Sequence, residues 1–373
     1  MAKHTNSYIY IDNVRVISMI FGIPFHTALI YDRDDGWLLH STDNSRTFEV
    51  ITSMSASFRM ACFFMVSGFL SAIVINRKGV KQWYTTRTIR LAVPFLTAML
   101  TLMPLQFLIL SNHNQEDNFL EYWIIENQLN IAHLWFILAL FIISSLVYAF
   151  KLQIDKFIKF SELFSFNIIL INAILMNAAL NLFHSNHVAI LGSNLAPYYK
   201  PFDIAHTLQF ITPFLFGYCA FKSEIIRHGF LKFDVLKMSI GLACMVSHYL
   251  FAHEGDTLSK NIGVAASAIS GILLSQSIIA LSYNIFSNRN IFGKDFVDAS
   301  YSIYLIHLPL IIFFGAISIS LNINIFIEFA AICLLSGIIS YGFHRYVIAP
   351  YPALMFLLNG QKTSIQHSNP AKV

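Results

Sequence analysis

Apolar runs of about 20 residues recur along the whole chain, separated by short polar segments. Ten such runs fall at roughly 12–31, 51–75, 91–111, 132–150, 163–183, 204–221, 235–252, 261–286, 298–318 and 325–344. At a rise of about 1.5 Å per residue, each run as a helix can cross a hydrocarbon layer of about 30 Å. Strands are poor candidates, because lipid cannot satisfy an open sheet edge. The pattern therefore predicts an all-α integral membrane protein with about ten transmembrane helices. They form a single polytopic domain over residues 1–358, followed by a polar tail at 359–373 that is expected to be disordered.

Charge refines this picture. Lysines and arginines alternate with the spans: 13 lie in the segments 76–90, 151–162, 222–234 and 287–297, against 4 in the alternate segments. The bias predicts that both termini lie in the cytoplasm. Composition agrees with a membrane location: 56% of residues are hydrophobic and 12% charged, whereas soluble domains carry roughly 25% charged residues. Arg15 interrupts the first run and no small-residue cleavage site follows, so that run reads as a retained helix rather than a signal peptide. Cys62, Cys219, Cys244 and Cys333 are scattered through apolar segments without a C-x-x-C pair, which predicts neither a disulfide framework nor a thiolate metal site.

No P-loop, dinucleotide fingerprint, H-E-x-x-H or G-x-S-x-G motif occurs. The loops opposite the basic ones are about 20 residues or shorter, so any chemistry must happen in or at the membrane. Attention then falls on polar groups inside the apolar runs, where an ionisable side chain is costly unless it is solvated, paired or used.

His26 lies within "GIPFHTALIY", 11 residues after Arg15. That spacing returns to nearly the same helix face after about 16 Å. Gly22 falls near that face and leaves room for an approaching group, Pro24 frees a backbone carbonyl one turn earlier, and Asp12 is placed to cap the helix or hold Arg15. Two readings stand: a functional pair, or a histidine hydrogen-bonded within the bundle beside an arginine that obeys the positive-inside rule. Arg59, in "FRMACFFMVSGFL", belongs to the outer half of the second run; it either approaches His26 from a neighbouring helix or snorkels to headgroups. Ser67 and Gly68 lie deeper in that run, where small residues commonly serve helix packing. Arg77, Lys78, Lys81, Arg87 and Arg90 suit a coenzyme phosphate or simply mark a cytoplasmic loop. His133 and Trp135 stand at the outer mouth of the fourth run, and His307 precedes Pro309 in the ninth. His184 and His187 form an H-x-x-H pair without a third ligand nearby, so no metal site is expected there. "DRDDG" at 32–36 lacks the spacing of a calcium loop, and His206, His248 and His344 near span ends need no special role.

Taken in order, Arg15-x10-His26, "FFMVSGFL", the arginine pair before "LAVPFL" and "SYSIYLIHLP" resemble the acyltransferase family 3 superfamily. The likeness runs from residue 9 to about 345. It implies ten helices in a bacterial inner membrane and a cytoplasmic acyl-coenzyme A donor carrying a succinyl or acetyl group. It also implies transfer to a hydroxyl of a periplasmic or envelope glycan, above all osmoregulated periplasmic glucan. His26 takes the essential catalytic position, with Arg15 as its partner. Acyl transfer from a thioester needs a base for the hydroxyl proton, and histidine is the natural one. On this reading Arg87 and Arg90 hold the donor phosphates, while Arg59, Ser67, His133, Trp135 and His307 line the acceptor or acyl pocket. Neither a permanently bound cofactor, a metal nor nucleic acid is called for. The alternative is a multi-pass transporter or flippase of an acyl or glycan carrier, although the matching half-repeats common in transporters are not evident.

Overall fold

The computed structural model describes residues 8–33, 37–191, 204–252, 256–287, 289, 291–321 and 323–361. Of the expected polar tail, 362–373 lies outside the described residues, while Asn359, the first residue assigned to it, is buried at the end of a helix.

Every regular element among the described residues is helical. In chain order the main ones are α1 (Ile9–Ile20), α2 (Gly22–Ala28), α3 (Arg46–Lys78), α4 (Val80–Leu100), α5 (Leu102–His113) and α6 (Trp135–Ala149). They continue with α7 (Lys151–Ser161), α8 (Phe166–Leu191), α9 (Ile204–Leu208), α10 (Ile211–Lys222) and α11 (Glu224–Leu231). The last five are α12 (Val235–Ala252), α13 (Thr257–Phe286), α14 (Gly293–Ser318), α15 (Ile325–Phe343) and α16 (Pro352–Asn359). Among the described residues, eight helical segments are long and apolar enough to cross a membrane, and they coincide with eight of the ten expected runs. The seventh run forms a shorter apolar helix, Val235–Phe251. The first is broken at Phe21 into α1 and α2. Pro24 lies just beyond the break and cannot supply the amide hydrogen that would bond one turn back.

Burial separates inner from outer helices. Two-thirds of the apolar windows of α3 and α13 is buried, against 11% for α8 and 22% for α15, so α3 and α13 form the axis. Small and hydroxylated residues let the neighbouring helices approach this axis closely. A Cβ added at Gly68 of α3 would lie 1.9 Å from the carbonyl oxygen of Phe214, and one at Gly217 of α10 would lie 1.9 Å from that of Met65. The two backbones therefore touch, which only glycine permits. Ser275 of α13 donates to the carbonyl of Phe58 at 3.3 Å and Ser282 to that of Tyr10 at 3.0 Å, tying α13 to α3 and α1. Outside the lipid-spanning segments, Asp256 caps α13 by accepting from the Ser259 amide at 2.9 Å, and that bond draws its carboxyl below the usual range.

Candidate active site

Proline chemistry sets the frame of the site. Pro309, inside α14, has no amide hydrogen, so the carbonyl of Leu305 one turn earlier has no helical donor. His133 takes that place: its Nε2 donates to Leu305 O at 3.2 Å, and the Tyr304 hydroxyl donates back to His133 O at 2.5 Å. His307, on the same helix, is fixed through Nδ1 to the carbonyls of Ile303 and Tyr304 at 3.1 and 2.7 Å. Each imidazole thus has one nitrogen held by backbone and the other, His133 Nδ1 or His307 Nε2, buried without a partner.

His26 enters this space from α2. Its ring centroid lies 5.3 Å from that of His307, which lies 5.5 Å from that of His133. The Nδ1 of His26 is buried and unpartnered, and Trp37 lies nearly parallel to the ring at 6.2 Å. Arg59 comes across from α3. It is 6% exposed, and its guanidinium sits 3.9 Å above the ring of Phe25. Burial of this kind excludes the snorkelling reading. No carboxylate pairs with Arg59 among the described residues, and its Nε has no hydrogen-bond acceptor. Gly22 makes the approach possible: a Cβ there would stand 3.2 Å from Arg59 Nη1 and 3.8 Å from His307 Nε2.

Two cavities meet at this cluster. One, of about 330 Å3, is lined by Gly22, His26, Arg59, His133, Trp135 and His307. The other, of about 350 Å3, also reaches His26, His133 and Trp135, and is closed by Trp37 and the segment 122–132. Among the described residues no acidic side chain lines either one.

Five of the nine residues expected from the sequence therefore share one chamber. Arg15, Arg87, Arg90 and Ser67 do not. Ser67 was expected in the acceptor or acyl pocket, but it lies eight residues along α3 from Arg59, about 12 Å away. Its hydroxyl instead accepts from Arg87 Nη2 at 2.5 Å, while Arg87 Nε donates to Ser144 Oγ at 2.7 Å. Arg15, one spacing of about 16 Å from His26, pairs with Asp12 at 3.4 Å and reaches Val297 O at 3.5 Å. Arg90 lies within electrostatic reach of Arg15, Tyr301 and Asp298. The α16 end presses on it: a Cβ at Gly360 would fall 2.4 Å from Arg90 Cα, and the positive φ of +61° there also favours glycine.

Sequence reasoning missed several chamber residues. Asn177, Asn181, Gln209 and Tyr304 line the first cavity, as does His206, which was assigned no special role yet packs on Trp135 at 4.3 Å. Asn177 and Asn181 form an i, i+4 pair, but Asn167, Asn172 and Asn186 on the same helix dilute that signal. Nothing local marks Trp37 or Asn130.

The family model described as an acyltransferase domain matches residues 8–345, and the chain belongs to that family. It is similar to glucans biosynthesis protein C of Salmonella paratyphi B (strain ATCC BAA-1250 / SPB7), at 26% identity over 383 residues, covering 97% of each chain. The protein of the same name from Shigella dysenteriae serotype 1 (strain Sd197) is 26% identical over 329 residues, covering 82% of this chain and 83% of its own. No solved structure matches the chain.

Proposed function

We propose that this acyltransferase moves a succinyl or acetyl group from acyl-coenzyme A to a hydroxyl of a periplasmic or envelope glycan, with His26 as the base. Osmoregulated periplasmic glucan is the first acceptor to test, since the relatives are named for glucan biosynthesis. The observation that carries the reading is the position of His26 where two cavities meet beside an uncompensated guanidinium.

In this scheme the protein lies in a bacterial inner membrane with ten spans. Eight are the long helices, and Val235–Phe251 and the broken α1–α2 pair supply the other two. The basic segments support an assignment of the Arg87 end and both termini to the cytoplasm. Arg87, Arg90 and Arg15 hold the donor phosphates there, and the pantetheine arm carries the thioester inward to His26. The acceptor comes from the other side. Its hydroxyl oxygen attacks the thioester carbonyl while the imidazole of His26 takes the proton. A carbon–oxygen bond forms and negative charge develops on the carbonyl oxygen. The intermediate then collapses, the carbon–sulfur bond breaks, and the departing thiolate recovers the proton from His26. The products are the ester and free coenzyme A. Arg59 supplies positive charge in a low-dielectric space, where it acts on the developing oxyanion or on the free carboxylate of a succinyl group. That it has no carboxylate partner among the described residues favours succinyl over acetyl. His307 and His133 offer their open nitrogens to the same space. Arg15 acts at the donor end rather than in contact with His26.

Mass spectrometry of periplasmic glucans and envelope polysaccharides tests this, from cells with the protein, without it, and with His26→Ala. An acyl mass increment present only with the intact protein is expected, and its mass identifies the group. If no glycan changes while a carrier or solute crosses the membrane, the reading is overturned in favour of transport.

A further inference from the structure

The second cavity is walled differently from the first. Arg59 belongs only to the first, and among the described residues no charged side chain lines the second. Its distinct walls are Trp37, Tyr122, Asn127 and Asn130, around the shared His26, His133 and Trp135. We propose that this cavity is the acceptor subsite, holding one neutral sugar ring against Trp37 and Tyr122 with a hydroxyl directed at His26. The proposal rests on the acyl-transfer reading above and adds to it where the sugar sits and that it is uncharged.

The hydrogen-bonding inventory of the walls supports this. Asn127 Nδ2 donates to Tyr122 O at 2.9 Å, which fixes the amide and leaves its Oδ1 as an acceptor. Asn130 Oδ1 accepts from the Ala132 amide at 2.7 Å, which leaves its Nδ2 as a donor. The Tyr122 hydroxyl accepts from Asn114 Nδ2 at 2.8 Å and keeps its own hydrogen to give. Donors and an acceptor thus stand close together, as a sugar hydroxyl requires because it does both. The aromatic walls present apolar faces to the C–H face of a pyranose. An anionic sugar would enter with no cation to meet it, at a desolvation cost that a neutral one avoids.

The segment that presents these groups has an unusual backbone. Tyr122–Glu126 is a π-helical turn, and Gln128, Leu129 and Ala132 all have positive φ, at 51°, 53° and 42°. These conformations are disfavoured for non-glycine residues and persist where the surroundings hold them. One restraint is visible: Trp123 Nε1 donates to Asn130 O at 3.1 Å, and Trp123 is stacked on Phe107 at 5.6 Å. The turn thereby brings both Asn127 and Asn130 to the cavity wall.

The test uses the purified full-length protein and two readouts. The first is saturation-transfer NMR of a neutral glucose oligosaccharide, and of an oligogalacturonate, in the absence of donor. The second is the KM for acceptor and donor in acyl transfer. Binding of the neutral probe and at least tenfold weaker binding of the anionic one are expected. Trp37→Ala should raise acceptor KM about tenfold, and Asn127→Ala or Asn130→Ala about three- to tenfold, with donor KM within about twofold. Trp37→Phe should restore most of the affinity. If the wild type transfers acyl groups but acceptor KM is unchanged in all these variants, this subsite is wrong and the acyl-transfer reading stands. If no transfer to any glycan occurs, that reading fails, and the binding experiment still decides: loss of neutral-sugar binding in Trp37→Ala supports the subsite, and equal or tighter oligogalacturonate binding overturns it.

Discussion

Around His26, four buried nitrogens lack partners: Nδ1 of His26, Nε of Arg59, Nδ1 of His133 and Nε2 of His307. At the other end of the same helices, Arg87 is engaged twice, by Ser67 and Ser144, and Arg15 is paired with Asp12. The contrast concerns what each end is built to meet. A buried polar group left unpaired costs about 1–3 kcal/mol, so a cluster of them is stable only because the rest of the fold over-determines it. On the proposed function, a ligand completes such a chamber. The arginine end is assembled beforehand at Arg87, which has no orphaned group, while Arg15 keeps its Nε without a partner.

This comparison can be broken at several points. The largest effect is expected at His26. His26→Gln should lower turnover by about 10²–10⁴-fold, the range for losing a general base, while melting temperature stays nearly constant; a protein that melts well below the wild type would make His26 a structural residue. Next comes Arg59→Gln, with a loss of about 10- to 100-fold in kcat/KM and equal or higher thermal stability, because an uncompensated buried charge is removed. Calorimetry and kinetics on one preparation check both signs, and a fall in stability would show that Arg59 has a partner within the folded protein. Gly22→Ala should cut turnover several-fold, since its Cβ would crowd Arg59 Nη1 at 3.2 Å. Here donor KM should hardly move. The smallest effect is at the opposite end: Ser67→Ala removes one of two Arg87 partners and should raise donor KM about threefold, with a modest loss of stability from the unpaired guanidinium nitrogen. An unchanged donor KM would detach Arg87 from coenzyme binding.

Much of the fold was legible because membrane spans write themselves as long apolar runs. Eight of ten coincide with long helices, and the remaining two differ for local reasons, the Phe21 break near Pro24 in one and short length in the other. The chamber was legible to the extent that ionisable residues are rare in such runs: His26, Arg59, His133 and His307 each stood out against an apolar background. Gly22 was legible for a similar reason, as a missing side chain near the helix face shared by Arg15 and His26. Ser67 misled, because a serine in a span carries no mark of its depth relative to neighbouring helices; eight residues along α3 moved it from the chamber to Arg87. Trp37, Tyr122, Asn127 and Asn130 were invisible as a set. They sit in polar segments where such residues are ordinary, and only the folded turn gathers them.

The sequence by itself determined the helical, membrane-embedded class and which few ionisable groups must be accounted for, since both follow from composition and spacing along one chain; the family came from the likeness of its motifs to a known one. Tertiary structure alone decided which of those groups share a space. Pairing across helices depends on depth, rotation and the carbonyls that prolines release. Pro309 frees Leu305 O and His133 takes it, a relation between residues 172 positions apart that no local pattern contains.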